Sequence, residues 1–559
     1  MEDQNGTGRL ARVMPWVIIL LMGTVAVAPL VPPRAPAGTD PTEFSAVRAL
    51  ETIERIAVEP HPMGSPAAER VRIEIEHQIR ALGLETELQT IESPDYFGAP
   101  GDTVPVVNVM ARIPGRASTG AVALVGHYDS DPTTPGANDN ASAVAVILET
   151  ARAILAGPGL RNDVILLFTD GEEPAPRFGS TAFVSGHPWA DEVKFVINLE
   201  AIGSGGPSTP IATNGPERWI IDRYAEAAPY PAAFSYLTAT TELIGGSNTD
   251  FAPFRDRGAS GLELAYLHGS TIYHTLADTP DRVSMRTLHQ EGSNTLALTR
   301  DLADLDLAAP EEQSEVVFFA LGRFLVVRYP ATAALPIVLV AAAALAAAVY
   351  RRRAWRRLVP SMATTLLAAL ATGVLALGVW TLLAGARDTM GITESYAYLA
   401  GLLLLAVGTG TVITRLVNRR TKARPEATGR VATWLLLALL IGLAAPGIGY
   451  LFAWPALVGA LTLLTDAPDR PRWQQLVGFA LVSGITLVLL VPAIDTFYQL
   501  AQPRPGNTDS QILFVIVVPA FLMSLVVELI RSFHVPAADR THTSLADHYP
   551  ETKTPQPTT

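Results

Sequence analysis

Between residues 121 and 200 the chain sets His127 and a series of acids in short motifs: His127-Tyr-Asp129, Asp139, Asp170-Gly-Glu172-Glu173 and Asn198-Leu-Glu200. Imidazole and carboxylate are the donor set for zinc and similar divalent ions, and a catalytic ion keeps one position open for water. Two ions about 3.5–4 Å apart need a carboxylate between them and can activate a shared water while polarising a scissile carbonyl. Asp139, in a turn at a helix start, is placed for bridging. The adjacent Glu172 and Glu173 allow a division in which one ligates and the other takes a proton from water. Taken singly, each motif is ordinary, since a Glu pair is commonly a solvated turn and Glu200 alone a strand-end acid. Their recurrence at successive strand ends is what points to a metal site.

The elements that must position these residues are legible around them. The apolar runs 121–126, 163–168 and 193–197 read as buried strands, and an apolar-striped helix from about Ser142 to Leu155 follows the loop Gly136-Ala-Asn-Asp139-Asn140. Buried strands alternating with helices imply a mostly parallel sheet with its site just beyond the strand C-termini. Upstream, Ser65-Pro66 opens a helix to about Leu82, on which His77 reads as a surface or packing residue. A strand follows over 104–113. Downstream come a helix near 217–228 and a loop through Gly245-Gly-Ser-Asn-Thr-Asp250. A strand over 261–267 leads into Gly269-Ser-Thr-Ile-Tyr273-His274-Thr275, and a helix carrying Leu288, Leu296, Leu298 and Leu302 closes the unit. The expected fold is a three-layer α/β/α sandwich with a mixed, mostly parallel sheet.

Composition divides the 559 residues in two. Residues 40–310 have globular composition, whereas 316–531 are dominated by Leu, Ala, Val and Gly runs, which reads as an all-α multi-span membrane domain. Cysteine is absent, so disulfides and thiolate ligands are excluded. A net charge of −12 argues against nucleic acid as a partner. Lysine occurs only at Lys194, Lys422 and Lys553, an arginine bias that hints at a GC-rich bacterial genome. The run 13–31 follows Arg9 and Arg12. Ala26-Val-Ala28 resembles a cleavage site, but Pro29 would follow the cut, so residues 1–31 are read as an uncleaved signal-anchor. Seven spans are expected within 329–531: 331–350, 358–384, 396–414, 431–447, 449–465, 475–493 and 511–530. The pair over 431–465 could equally be one helix kinked at Pro446. Residues 532–559 read as a disordered tail. Arg351, Arg352, Arg353, Arg356 and Arg357, and the cluster from Arg415 to Arg430, belong in the cytoplasm by the positive-inside rule. Residues 32–330 then lie outside it, at the bacterial plasma membrane. No span carries a central charge cluster, so the membrane part reads as an anchor or platform.

Together with Gly136-Ala-Asn-Asp139-Asn140-Ala-Ser142 and Tyr273-His274-Thr275, these motifs resemble the di-zinc exopeptidases of the aminopeptidase Y type, family 28 of the metallopeptidases. His61-Pro-Met-Gly-Ser65-Pro66 and Gly179-Ser-Thr-Ala-Phe183 also look like family segments. The multi-span tail resembles the endoplasmic reticulum metallopeptidase and vacuolar membrane protease branch and its bacterial relatives. The resemblance covers residues 50–305 and implies two zinc ions. His127 and Glu200 would hold one, Glu173 and His274 the other, and Asp139 would bridge them. Asp129 would orient His127 through its other ring nitrogen, Glu172 would be the general base, and Asp250 would stand behind the ligands. Pro174-Ala-Pro176-Arg177 departs from the Gly-rich link of many relatives. The implied reaction is hydrolysis of a peptide bond near a free N-terminus, with peptides as substrates and the bilayer as surroundings; no oligomeric state is implied. A glutaminyl-cyclase-like acyltransferase with one zinc also matches the His-Tyr-Asp-Ser string, although such cyclases would be expected to carry Trp at Tyr273. A metal-free scaffold on this fold would lack ligands that are all present here.

Overall fold

The computed structural model describes residues 3–38, 40–98, 101–173, 177–308, 313–323, 325–383, 396–421, 426–465, 470–500 and 509–534. The expected tail beyond 534, and Pro174 to Pro176, lie outside the described residues. A first helix, α1 (Asp3–Val27), precedes an α/β domain with helices α2 (Ala46–Ile56), α3 (Pro66–Ala81), α4 (Ala141–Leu155), α5 (Phe178–Gly186), α6 (Glu217–Ala227), α7 (Ser235–Leu243), α8 (Phe251–Asp256) and α9 (Met285–Ala303). Its strands are β1 (Thr86–Pro94), β2 (Thr103–Ile113), β3 (Ala121–His127), β4 (Asp163–Thr169), β5 (Val193–Ala201), β6 (Thr209–Asn214) and β7 (Ser260–Tyr266). They form one seven-stranded sheet in the order β1-β2-β4-β3-β5-β7-β6. The centre, β4-β3-β5-β7, is parallel; the pairings outside it are antiparallel.

The two-residue period of a strand explains the layering. On β3, Val122 and Leu124 join a core with α2, α3, α4, α6 and α9, while Ala121, Ala123 and Val125 join a separate core with α5 and α8. The result is the expected α/β/α sandwich. Helix α3 begins where Ser65-Pro66 predicts, with the Ser65 hydroxyl accepting the Ala68 N–H at 3.0 Å. Strand β1 escaped the sequence reading because it is an edge strand whose residues, apart from Ser93, are partly or fully exposed, which blurs the alternation that marks a strand.

A second, two-stranded sheet, β8 (Val316–Leu321) with β9 (Leu325–Pro330), occupies the start of what composition assigns to the apolar half. Its apolar residues serve two cores: Phe318 packs into the α/β domain, while Val317 and Phe319 face the helical part, where Phe319 stacks on Tyr450 at 5.3 Å. The hairpin is thus a seam between the two bodies.

Among the described residues seven helices follow: α10 (Ala334–Arg352), α11 (Trp355–Leu382), α12 (Tyr396–Thr421), α13 (Ala427–Ala444), α14 (Pro446–Thr465), α15 (Arg472–Leu500) and α16 (Asp509–Phe533). With the N-terminal helix, eight helices among the described residues are long and apolar enough to cross a membrane. The segment 431–465 is two helices, because Ala445 leaves the helical region (φ −148°, ψ 88°) and Pro446 opens the next helix. Helix α1 packs along α15.

Candidate metal centre

Each acid reaches the site from a strand end or a loop pinned to one. His127 is the last residue of β3, Glu200 lies near the end of β5, and Glu172 and Glu173 follow β4 after Gly171, whose φ of 72° turns the chain. Asp139 precedes α4. Gly126 lets that helix approach: a Cβ there would sit 2.7 Å from the Cβ of Ala143. His274 follows β7 by way of a loop, and its own φ is 54°.

The arrangement centres on Asp139. Its Oδ1 lies 3.4 Å from His127 Nε2 and its Oδ2 3.2 Å from His274 Nε2. Glu200 Oε2 is 3.8 Å from His127 Nε2, and Glu173 Oε2 is 2.9 Å from His274 Nε2. His127, Asp139 and Glu200 can offer donor atoms within 4.8 Å of one another, as can Asp131, Glu173 and His274. Glu172 Oε2 stands 3.9 Å from His127 Nε2. The site thus brings together His127, Asp139, Glu172, Glu173, Glu200 and His274, with Asp131 added.

These side chains fit a cation better than they fit one another. Asp139 Oδ2, Glu173 Oε1 and His274 Nε2 are buried and have no hydrogen-bond partner, and an unsatisfied buried polar group costs about 1–3 kcal/mol, more if charged. Burial drives the carboxyls of Glu173 and Glu200 up to about 8 and about 7, and pushes Glu172 well above the ordinary carboxyl value. Glu172 is opposed by His127 and reinforced by Glu200, Asp250 and Glu173. Burial would raise Asp139 too, but the two histidines outweigh it and hold its carboxyl low. A divalent ion would take over the positive charge that protons on His127 and His274 otherwise supply, and the thiolate-free donor set suits zinc.

The surroundings fix the donors. His127 Nδ1 lies 2.9 Å from the main-chain carbonyl of Asp129, which assigns the proton to Nδ1 and leaves the Nε2 lone pair facing Asp139 and Glu200. The Asp129 carboxylate is farther from that nitrogen, at 3.6 Å, and instead accepts the N–H groups of Glu172 (3.2 Å) and Glu173 (3.3 Å). Its main chain therefore orients the histidine and its side chain orients the glutamates. His61 braces this segment, donating its N–H to Ser130 Oγ at 2.9 Å. Asp250 is buried and accepts the Thr169 hydroxyl.

Two acids went unnoticed in the sequence. Asp278 accepts the N–H of Asn138 at 2.9 Å and that of Asp139 at 3.1 Å, so it holds the bridging loop. Asp131 Oδ2 lies 3.9 Å from His274 Nδ1. Neither sits at a strand end, and a lone acid in a polar loop gives no periodic signal. Arg177, at the end of the atypical link, has φ 51° and bonds Asn248.

Residues 108–299, which include the parallel centre of the sheet and the histidines and acids around Asp139, match the profile of Peptidase family M28. The chain carries an M28 peptidase domain. Its relatives include endoplasmic reticulum metallopeptidase 1 of Mus musculus, 32% identical over 311 residues, covering 52% of this chain and 34% of that protein. They also include the vacuolar membrane protease of Candida dubliniensis, 31% identical over 252 residues, covering 44% and 27%. The chain spans about a third of the length of these relatives. Among solved structures, a glutaminyl cyclase from Fimbriiglobus ruber aligns at 17% identity and TM-score 0.40, covering 48% of this chain and 98% of its own. An aminopeptidase from Aneurinibacillus sp. strain AM-1 aligns at 16% and 0.39, covering 49% and 96%. The relatives' names refer to reticulum and vacuolar membranes, and the bacterial plasma membrane expected from arginine usage finds no support among them.

Proposed function

We propose that the protein is a membrane-bound, zinc-dependent exopeptidase of the aminopeptidase type. The observation that carries this reading is Asp139, whose two oxygens face His127 on one side and His274 on the other. His127, Asp139 and Glu200 would hold one zinc ion; Asp139, Glu173 and His274 would hold a second. Zinc bound there would lower the pKa of a coordinated water and polarise the scissile carbonyl. Glu172, beside both ligand sets, takes the proton from the attacking water as its oxygen adds to the carbonyl carbon. As the C–N bond breaks, Glu172 returns that proton to the leaving amine. Asp129 holds the Glu172 backbone in place, and Asp250 lines the buried side of the pocket.

The substrates are peptides met on the extracytoplasmic face. The hydrogen bonds described between the two bodies support this, because they lie toward one end of the helical bundle. Ser235 Oγ donates to the Gly447 carbonyl at 3.1 Å, and the Tyr236 and Thr496 hydroxyls are 2.8 Å apart. The arginines lie at the other end, where Arg351 reaches the Leu464 carbonyl (2.6 Å) and Arg357 reaches Glu426 (2.8 Å). Positive charge marks the cytoplasmic side.

The purified full chain tests the chemistry. Zinc content together with release of an amine from an aminoacyl substrate supports the peptidase. Pyroglutamate formed from an N-terminal glutamine without hydrolysis would replace it with the cyclase reading, and no metal with no turnover would leave a scaffold.

A further inference from the structure

We propose that the C-terminal end of α15, a membrane-type helix, is a positioning element of the metal centre. Asp495, Thr496 and Gln499 fall on one helical face, and all three are buried against the α/β domain. A carboxylate in a helix otherwise apolar enough to span a bilayer is costly and calls for a partner. Here His268 is within ion-pair distance, its Nε2 2.9 Å from Asp495 Oδ2, without forming a hydrogen bond. One residue on, the Gly269 N–H donates to Gln499 Oε1 at 3.4 Å, and Ser270 Oγ donates to the Gln499 carbonyl at 2.8 Å. Residues 268–270 open the loop that carries His274.

The same residue also ties in the segment that follows Glu200. The His268 carbonyl accepts the N–H groups of Ser204 (2.8 Å) and Gly205 (3.0 Å), and its N–H donates to the Gly205 carbonyl at 3.0 Å. Gly269 must be glycine for this, since φ is 74° and a Cβ would lie 2.4 Å from Ser204 Oγ. The loop that carries His274 and the segment that follows Glu200 therefore meet at residue 268, which rests on α15. The helix acts through His274 and Glu200 and touches no substrate. The membrane domain is in this respect part of the site's scaffold, a role beyond anchoring. This inference rests on the zinc peptidase reading.

The test uses the full-length protein in detergent, with zinc alone as the probe. Zinc release to a chelator and the separate values of kcat and KM are measured for wild type, Asp495→Ala, Asp495→Asn, Gln499→Ala and, as a control deeper in the same helix, Thr486→Ala. Asp495→Ala and Gln499→Ala should release zinc about ten-fold faster, the scale at which partners of metal ligands act, and should lose kcat with KM little changed. Asp495→Asn keeps the volume but loses the charge that faces His268, so it should release zinc at a rate between those of wild type and Asp495→Ala, whereas Thr486→Ala should stay near wild type. Should Asp495→Ala fail to fold, Gln499→Ala, which removes one hydrogen bond, carries the decision. Wild type holding zinc while both alanine variants release it at the same rate would overturn the positioning role and leave the peptidase reading standing. Wild type holding no zinc and hydrolysing nothing would overturn the peptidase reading, and this role with it.

Discussion

Asp129 and Asp139 are both buried aspartates beside His127, yet their oxygens have different occupations. Asp129 accepts the two glutamate N–H groups, whereas Asp139 keeps Oδ2 without a hydrogen-bond partner. That difference predicts different variants. Glu172→Gln should retain zinc and lose turnover by about 10²- to 10⁴-fold, the usual contribution of a general base. Asp139→Asn should lose zinc as well, and metal analysis beside kcat separates the two. Equal zinc loss in both would make Glu172 a ligand. Asp278 supplies a second prediction. Replacing it with Ala strands the N–H groups of Asn138 and Asp139, so zinc affinity should fall by about 10- to 100-fold. Competition titration against a chelator reads this directly, and unchanged affinity would show that the bridging loop holds its shape unaided.

At the scale of elements, the seam hairpin and the α13–α14 pair are where stability can be probed away from the chemistry. Glu217, at the start of α6, accepts the Val316 N–H at 3.2 Å and so ties the α/β domain to β8. Burial raises its carboxyl from 4.5 to about 7. In the folded protein it therefore holds a proton that the unfolded chain releases near 4.5. Its stabilising contribution is complete below that value and is lost as pH rises through about 7. Glu217→Gln should flatten this part of the thermal stability profile between about pH 4.5 and 7, the window set by the two values; an identical slope in the variant would remove Glu217 as its source. In the helical pair, a Cβ on Gly449 would lie 2.4 Å from the Gly442 Cα. Gly449→Val must push α13 and α14 apart, a cost on the order of 1–3 kcal/mol or more for overpacking, which a lower Tm of the full chain would register. An unchanged Tm would mean that the helices part without loss.

At the scale of the molecule, the contacts of the α/β domain and the arginines from Arg351 to Arg357 occupy opposite ends of the bundle. A reporter active only outside the cytoplasm should give signal when fused after Leu307 and none when fused after Arg353. The reverse pattern would place the site inside the cytoplasm and overturn the extracytoplasmic reading of its substrates.

The sequence alone determined the parallel centre of the sheet, helices α3, α4, α6 and α9, the apolar helices and the strand-end acids. Each rests on a local period or on a residue type at a strand terminus, and such signals survive without knowledge of distant neighbours. His274 became a candidate only through resemblance, since nothing local distinguishes it from His268 a few residues earlier. The tertiary structure decided which of those two histidines faces Asp139 and which faces Asp495. It also decided that Asp129 serves His127 with its main chain, that Asp278 holds the bridging loop, and that apolar residues from Val316 onward form a hairpin between two cores. Side-chain direction in a loop, and the choice between two equally apolar surroundings, depend on what packs against the segment from elsewhere in the chain. Residue order along the backbone does not encode that partner locally.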